Sequence, residues 1–364
     1  MEIKINIKSK NYSIFIGSNI LKNCSKIFTK KKIKFKKALI IIDKNIPTKF
    51  RKILISNLKI KQKFLLYFKA NEKNKSLSNV NKIHSILFQK NFNRDDCIIS
   101  FGGGITGDLS GFAASTYKRG LKFINIPTTL LAQVDSSIGG KTGINNNYGK
   151  NLVGSFYQPE IVISDTDLLK SLPKRELVCG YAEILKSAII DSKSKFIFLD
   201  KNLFSILSLK KNIIEKAIFN SCSLKKRVVE KDEKEKNIRK VLNLGHTFGH
   251  SFEATLKFSK VLNHGEAVIL GIKRAINYSK KLKIISKKNF DLINNHINQI
   301  NLNKKFKKLF KKKDIDKIIK YMKSDKKNNS DKINLILVEN FGNIKLNYNF
   351  SLYDIKKFLL SELK

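Results

Sequence analysis

Residues 95–117 read DDCIISFGGGITGDLSGFAASTY, and this stretch decides the fold. DDCIISF (95–101) is a β-rich apolar run, and residues 105–117 carry helical spacing, with a glycine cluster between the two. Gly102, Gly104 and Gly107 stand at the spacing GxGxxG. Glycines there permit a tight turn and close backbone approach, and the following helix N-terminus favours a pyrophosphate. Glycine-rich turns of this kind also occur for packing alone. No acidic residue follows about twenty positions on, so a ribose contact has to come from another segment.

Outward from this turn the same alternation continues. KALIIID (37–43), KQKFLLYF (61–68), LKFINIP (121–127) and EIVISD (160–165) read as strands, and 46–58 and 76–91 as helices. EIKINI and NYSIFIG alternate more cleanly and read as an edge hairpin. From Pro173 the texture changes to helical spacing, with helices expected at 174–190, 209–231, 238–258 and 263–282. INLILVEN and NIKLNY about Phe341-Gly342 read as a late hairpin, followed by a helix at 351–362. The expected fold class is α/β. A Rossmann-like N-terminal domain with a parallel sheet (1–172) precedes a mainly α-helical, metal-binding C-terminal domain (173–364).

At 364 residues the chain has room for two apolar cores. Hydrophobic content of 42% separates it from a disordered polymer despite its charge. No apolar run is long enough to cross a bilayer, and the opening MEIKINIKSKNYSIF lacks a signal-peptide layout. The expectation is a cytoplasmic protein without a membrane partner. Cys24, Cys97, Cys179 and Cys222 show no CxxC pairing and read as reduced core residues.

The formal net charge of +44 would attract any polyanion. The lysines, however, run through the whole chain instead of forming one stripe. Arginine, the better reader of phosphate and base edges, is confined to Arg51, Arg94, Arg119, Arg175, Arg227, Arg239 and Arg274. Lys, Asn and Ile are abundant together, as AT-rich codons would produce. Compositional drift is therefore the favoured account, and no nucleic-acid partner is expected. The surplus charge can still gather an anionic substrate.

Three of five histidines fall close together: His246, His250 and His264. His246 and His250 are four apart and share a helix face, and His264 opens the next helix. Glu183 and Lys186 stand three apart on an apolar helix and point the same way. One such histidine alone would read as a hydrogen-bonded core residue. Three beside a carboxylate favour a divalent metal such as zinc or cobalt with open positions for substrate. PTTLLAQVDSSIGGKTGINNNYGKN (127–151) adds Thr128, Thr129, Asp135, Lys141, Asn145, Lys150 and Asn151. Its two glycine-flanked lysines read as an anion cradle rather than as solvated surface.

These segments also carry a family resemblance. GGGITGDLSGFAASTYKRG, INIPTTLLAQVDSSIGGKTGIN, GKNLVGSFYQP, LPKRELVCGYAEILKSAI, KDEKEKNIRKVLNLGHTFGH and NHGEAV resemble successive signature blocks of the 3-dehydroquinate synthase family, within the sugar phosphate cyclases. The resemblance implies an NAD- and metal-dependent lyase of the shikimate pathway. It would turn 3-deoxy-D-arabino-heptulosonate 7-phosphate into 3-dehydroquinate and phosphate by oxidation, elimination, reduction and aldol closure. Implied metal ligands are Glu183, His246 and His264. Implied NAD contacts are Asp43, Asn71, Glu72, Lys75, Gly104, Ile105, Thr106, Gly107, Asp108, Thr128, Thr129, Lys141, Lys150, Leu168, Leu169, Lys170 and Ser171. Implied substrate-site residues are Asp135, Lys141, Asn151, Lys186, Lys225, Arg239, Asn243, His250 and Lys327 of the DKK motif. Arg119 is implied to reach the phosphate from the second subunit of a homodimer.

Asn146-Asn147 stands where the family tends to hold a His-Pro pair. Competing readings are a cyclase acting on another sugar phosphate, a metal-dependent alcohol dehydrogenase and a nucleic-acid-binding protein on a degenerate scaffold. Lys225, Arg239, Asn243 and His250 match the carboxylate-handling pattern of the first-named family.

Overall fold

The computed structural model describes residues 1–300, 302–324 and 332–363. They divide into two compact units, Met1–Gly180 with Phe204–Lys234, and Tyr181–Leu203 with Glu235–Lys364. The first contains β1 (Glu2–Ile5), β2 (Tyr12–Gly17), α1 (Cys24–Lys30), β3 (Lys37–Asp43), α2 (Thr48–Asn57) and β4 (Gln62–Phe68). It continues with α3 (Leu77–Gln89), β5 (Cys97–Gly102), α4 (Gly104–Thr116), β6 (Lys122–Pro127), β7 (Lys141–Asn146), β8 (Gly149–Phe156) and β9 (Ile161–Asp165). Among the described residues, a seven-stranded sheet runs in the order β1-β2-β9-β6-β5-β3-β4. Only β1 and β2 pair antiparallel, as the edge hairpin expected from their alternation.

Successive residues of β3 serve opposite faces of this sheet. Ala38, Ile40 and Ile42 join Phe28 of α1 and Phe50 and Leu54 of α2 in one core. Leu39 and Ile41 join Val80, Ile83 and Leu87 of α3 and Leu109, Phe112 and Ala113 of α4 in the other. Each fully buried aliphatic side chain stabilises by about 1.5–3 kcal/mol, which is why the run is apolar throughout. The polar stretch after β6, for which no strand is expected from the sequence, holds β7 and β8 as an antiparallel hairpin. Gly143 and Gly154 let its backbones close, since a Cβ on Gly154 would lie 2.2 Å from the Thr142 carbonyl oxygen.

The division falls inside α5 (Lys174–Asp191), which is followed by α6 (Lys193–Lys201), α7 (Leu203–Leu207) and α8 (Lys211–Lys231). α8 belongs with the first unit, although it lies beyond residue 172. Cys222 Sγ donates to the Gln133 carbonyl at 3.3 Å, and Lys225 bonds to Asp135. The second unit contains α9 (His246–Thr255), α10 (His264–Lys281), α11 (Lys287–Gln299), α12 (Asn303–Leu309) and α13 (Ile315–Ser324). The hairpin β10 (Lys332–Asn340) and β11 (Asn343–Ser351) and α14 (Leu352–Ser361) complete it. None of the four cysteines is in a disulfide, and all four are buried. No helix among the described residues is long and apolar enough to cross a membrane.

The helix expected over 238–258 is broken. Ile238–Asn243 forms a 3₁₀ turn, and α9 starts only at His246 after Gly245 at φ +80°. That left-handed conformation suits glycine, and the space demands it too. A Cβ on Gly245 would meet the Ile272 backbone nitrogen at 2.7 Å. On Gly271 it would lie 2.0 Å from the Gly245 carbonyl oxygen and 2.9 Å from the Gly249 nitrogen. Gly271→Ala should therefore cost at least the ~1–3 kcal/mol typical of overpacking, read as a lowered urea midpoint, because only backbone stands in the way.

Candidate active site

At the carboxyl ends of the parallel strands, sheet order reverses between β3 and β5, the kind of place where open α/β sheets bind ligands. Asp43 ends β3 and the glycine turn ends β5. Asp43 is buried, which pushes its carboxyl up, while the Asn45 backbone N–H donates to it at 3.0 Å. A Cβ on Gly104 would lie 2.9 Å from Ser136 Oγ, and one on Gly103 3.1 Å from Thr129 Cγ2. The glycines thus let the turn close against Ser136 and Thr129 at the start of α4. There the backbone N–H groups of the first turn, through Gly104, Ile105 and Thr106, lack partners inside the helix. This fits a phosphate. Gly107 packs against Asn125, and its N–H returns to the Gly103 carbonyl at 3.0 Å.

Around this turn, buried Lys75 bridges Asp108 and Asn151, each at 2.5 Å. Desolvation pushes Asp108 up, against the pull of Lys75. Asn151 holds a left-handed φ of 57°. Asn71 accepts from the Asn74 N–H at 2.8 Å, and Glu72 contacts Asn145 at 2.8 Å and Lys150 at 3.5 Å. Thr128 is buried and bonds back to the Gly102 carbonyl, Thr129 accepts from the Ala132 N–H, and Lys141 is exposed at the start of β7. Leu168 and Leu169 are buried apolar residues, so their side chains serve the core. Lys170 pairs with Asp167 at 2.6 Å, and Ser171 bonds to the Leu168 carbonyl.

Two further expected residues also meet in the first unit. Lys225 Nζ donates to the Asp135 carboxylate at 2.6 Å and to its carbonyl at 2.7 Å. Arg119 is exposed, at φ 66° directly after Lys118 at φ 47°.

In the second unit, the glycine-mediated crossing of α9 and α10 sets His246 and His250 beside His264. Ring centroids lie 5.2 Å apart for His246–His250, 5.5 Å for His246–His264 and 5.9 Å for His250–His264. Glu183 of α5 completes a set with His246 and His264 whose ligand atoms all lie within 4.8 Å of one another. Glu183 is 2% exposed, and neither carboxylate oxygen accepts a hydrogen bond of ordinary geometry. Lys186 Nζ lies against it as an ion-pair neighbour, and His246 Nε2 stands 3.5 Å from it. Ligands at ~2.1 Å in a tetrahedral array stand ~3.4 Å apart, so the 3.5 Å separation fits a shared divalent cation.

Electrostatics favours the same use for His246. Burial, then the Lys186 charge, then the neighbouring imidazoles hold His246 well below the usual histidine value. It is therefore neutral, with Nδ1–H donating to the Leu244 carbonyl at 3.3 Å and an Nε2 lone pair facing Glu183. Burial also opposes charge on His264, but Glu253 outweighs it and holds that histidine above its usual value. Arg239 is almost fully buried, and Asn243 donates to Glu235 at 2.9 Å. Lys327 lies outside the described residues.

Family models described as 3-dehydroquinate synthase N-terminal and 3-dehydroquinate synthase C-terminal match residues 65–179 and 180–328. The chain belongs to the 3-dehydroquinate synthase family. The 3-dehydroquinate synthase of Pelagibacter ubique (strain HTCC1062) is 56% identical over 363 residues, covering 100% of this chain and 99% of the relative. That of Dictyoglomus thermophilum is 40% identical over 360 residues, or 98% and 97% of the two chains. Among solved structures, 2-deoxy-scyllo-inosose synthase complexed with carbaglucose-6-phosphate, NAD+ and Co2+ superposes with a TM-score of 0.89 at 25% identity. That match covers 99% of this chain and 100% of the other.

The sequence reading for this family member missed Glu253 and the group behind α5. Glu253 was detectable as the i+7 partner of His246. Tyr181, Asp200 and His296 carry no such signal, for they meet only across 96 to 115 residues of chain. His296 has 0% exposure; its Nε2 accepts from Tyr181 Oη at 2.6 Å and its Nδ1 donates to Asp200 at 2.8 Å.

Burial holds His296 below the usual histidine value despite Asp200. A depressed folded pKa means that its stabilising contribution is present above the unfolded value, near 6.5. The contribution is lost as pH falls toward the lower folded value. Unfolding free energy in urea should therefore decline as pH falls through and below about 6.5. In His296→Phe this group's share of the decline should be absent, leaving a shallower slope from a lower starting stability.

Proposed function

We propose that the protein is a 3-dehydroquinate synthase. It converts 3-deoxy-D-arabino-heptulosonate 7-phosphate to 3-dehydroquinate and phosphate, the second step of the shikimate pathway. The observation that carries this reading is the buried Glu183–His246–His264 cluster beside Lys186, in a chain with full-length likeness to 3-dehydroquinate synthases. The first unit, centred on the expected 1–172 domain, takes NAD. The second takes one divalent cation, zinc or cobalt, through Glu183, His246 and His264. The presence of NAD+ and Co2+ in the related 2-deoxy-scyllo-inosose synthase supports both assignments. The proposed location is the cytoplasm, where NAD and phosphorylated sugar acids are at hand.

When bound, the dinucleotide supplies a reversible hydride acceptor and the cation supplies Lewis-acid polarisation of a substrate hydroxyl. The net reaction is redox-neutral: substrate atoms are divided between the carbocycle and phosphate. Backbone N–H groups of the turn at Gly104–Asp108 hold the dinucleotide phosphates, and Asp43 takes a ribose hydroxyl. Asn71, Glu72, Lys75, Thr128, Thr129, Lys141, Lys150 and the 168–171 segment complete that site. Lys186, Lys225, Arg239 and Lys327 bind the substrate's carboxylate and phosphate as charge-assisted donors. Asn151 and Asn243 orient its hydroxyls, and Asp135 keeps the Lys225 ammonium in place. His250, beside the two metal-binding imidazoles, is the proton acceptor for a substrate hydroxyl.

Incubating the seven-carbon acid phosphate with protein, NAD+ and cobalt should release phosphate and 3-dehydroquinate in equal amounts without net NADH. NADH growth matched to substrate loss would instead mark a dehydrogenase. Faster turnover of sedoheptulose 7-phosphate would mark a different cyclase.

The protein acts as a homodimer in which Arg119 serves the partner's site. The Arg119 guanidinium is exposed and has no hydrogen bond or ion pair among the described residues. Its left-handed backbone, in a non-glycine residue, is strain of the kind that clusters at functional sites. Arg119→Ala and Glu183→Ala proteins should each be nearly inactive alone. Mixed dimers should recover activity at one site, which has its own Glu183 and borrows Arg119. Mixed dimers that form yet stay inactive would rule out the shared site.

A further inference from the structure

We infer that Glu253 is a positioning residue of the metal centre, which fixes His264 in the tautomer that presents Nε2 to the cation. The inference rests on the metal-centre reading above and extends it to a residue outside the ligand set. His246, His250 and Glu253 stand at i, i+4 and i+7 on α9, within about 60° of arc on one helix face. That face meets His264 at the first position of α10, where Asn263 caps the helix. Glu253 is 9% exposed, and its Oε2 lies 2.9 Å from His264 Nδ1.

A carboxylate only accepts, so Nδ1 carries the hydrogen and the lone pair of the neutral ring is on Nε2. The distances separate this role from ligation. Glu253 and His264 also belong, with His250, to a second group able to hold an ion. Two tetrahedral ligands of one cation stand ~3.4 Å apart. Glu183 and His246 match that spacing at 3.5 Å, whereas the 2.9 Å between Glu253 and His264 is a hydrogen-bond length. A cation between them would have to displace the hydrogen that joins them.

His264 also needs a stronger acceptor than His246 does. His246 is 12% exposed and is held by the neutral Leu244 carbonyl. The His264 side chain is 32% exposed and stands at the positive end of α10, where ring orientation and ligand basicity are both harder to hold. A charged acceptor on Nδ1 restores both.

Cobalt(II) binding to the whole protein separates the possibilities, with affinity read by chelator competition and geometry by the visible spectrum at saturation. Glu253→Ala should weaken cobalt binding about 10–100-fold and leave the saturated spectrum of the parent unchanged. Glu253→Gln, which keeps an accepting oxygen but not its charge, should recover part of the affinity. Parent-like affinity in Glu253→Ala would overturn the inference, as would loss of thermal stability in both variants with cobalt affinity intact. A shifted spectrum would overturn it differently, making Glu253 itself a ligand. Failure of the parent protein to bind cobalt would instead refute the metal-centre reading.

Discussion

Backbone contact between α9 and α10 governs the chemistry of the second unit. Gly271 admits the Gly245 carbonyl at a distance no side chain would permit, and Gly249 faces the Ala267 carbonyl in the same way. Three residues without side chains let two helices cross at backbone distance. Imidazoles from both can then converge on Glu183, two of them within reach of one cation. Were the helices spaced by ordinary side chains, at 8–10 Å between axes, His264 would stand away from His246. The left-handed turn at Gly245 serves this arrangement too, by ending the preceding 3₁₀ turn and re-aiming α9.

Positive charge is abundant in this chain, and the sites differ from the surface in how tightly it is paired. Lys75 with Asp108, Lys225 with Asp135 and Lys186 with Glu183 each set a cation against a carboxylate inside one unit. Exposed pairs of this sort contribute little, about 0–1 kcal/mol. Lys186 and Glu183 are only 2–3% exposed, and breaking such a buried pair leaves one charge uncompensated at about 3–5 kcal/mol. In the proposed function these pairs hold charge ready for an anionic ligand or a metal, which can take over one partner's role. The surface lysines have no comparable constraint, which accords with their even spread along the chain.

Much of the sheet was legible because parallel strands covered on both faces leave a direct record. KALIIID is apolar at every position from Ala38 to Ile42 since helices pack on either side, and its observed bounds coincide with the expected ones. The hairpin β7–β8 was not legible, because its glycines, asparagines and lysines resemble those of a loop. Its strand character comes from cross-strand closure at Gly143 and Gly154, which involves two segments at once. The helix expected over 238–258 failed for a related reason: helical spacing persists through Gly245, while the break answers to Ile272 on another helix.

By itself the sequence determined the strand-to-helix alternation, the glycine turn, the spacing of His246, His250 and His264, and the family. Each is local or is carried by residue identity, so periodicity and motif suffice. Only the tertiary structure decided that α8 belongs with the first unit and that Lys75 joins Asp108 to Asn151. It also decided that Glu253 meets His264 and that His296 is sealed between Tyr181 and Asp200. Those contacts span from eleven to more than a hundred residues of chain. No local pattern encodes them, because each partner sits on an element whose own periodicity is satisfied without the other.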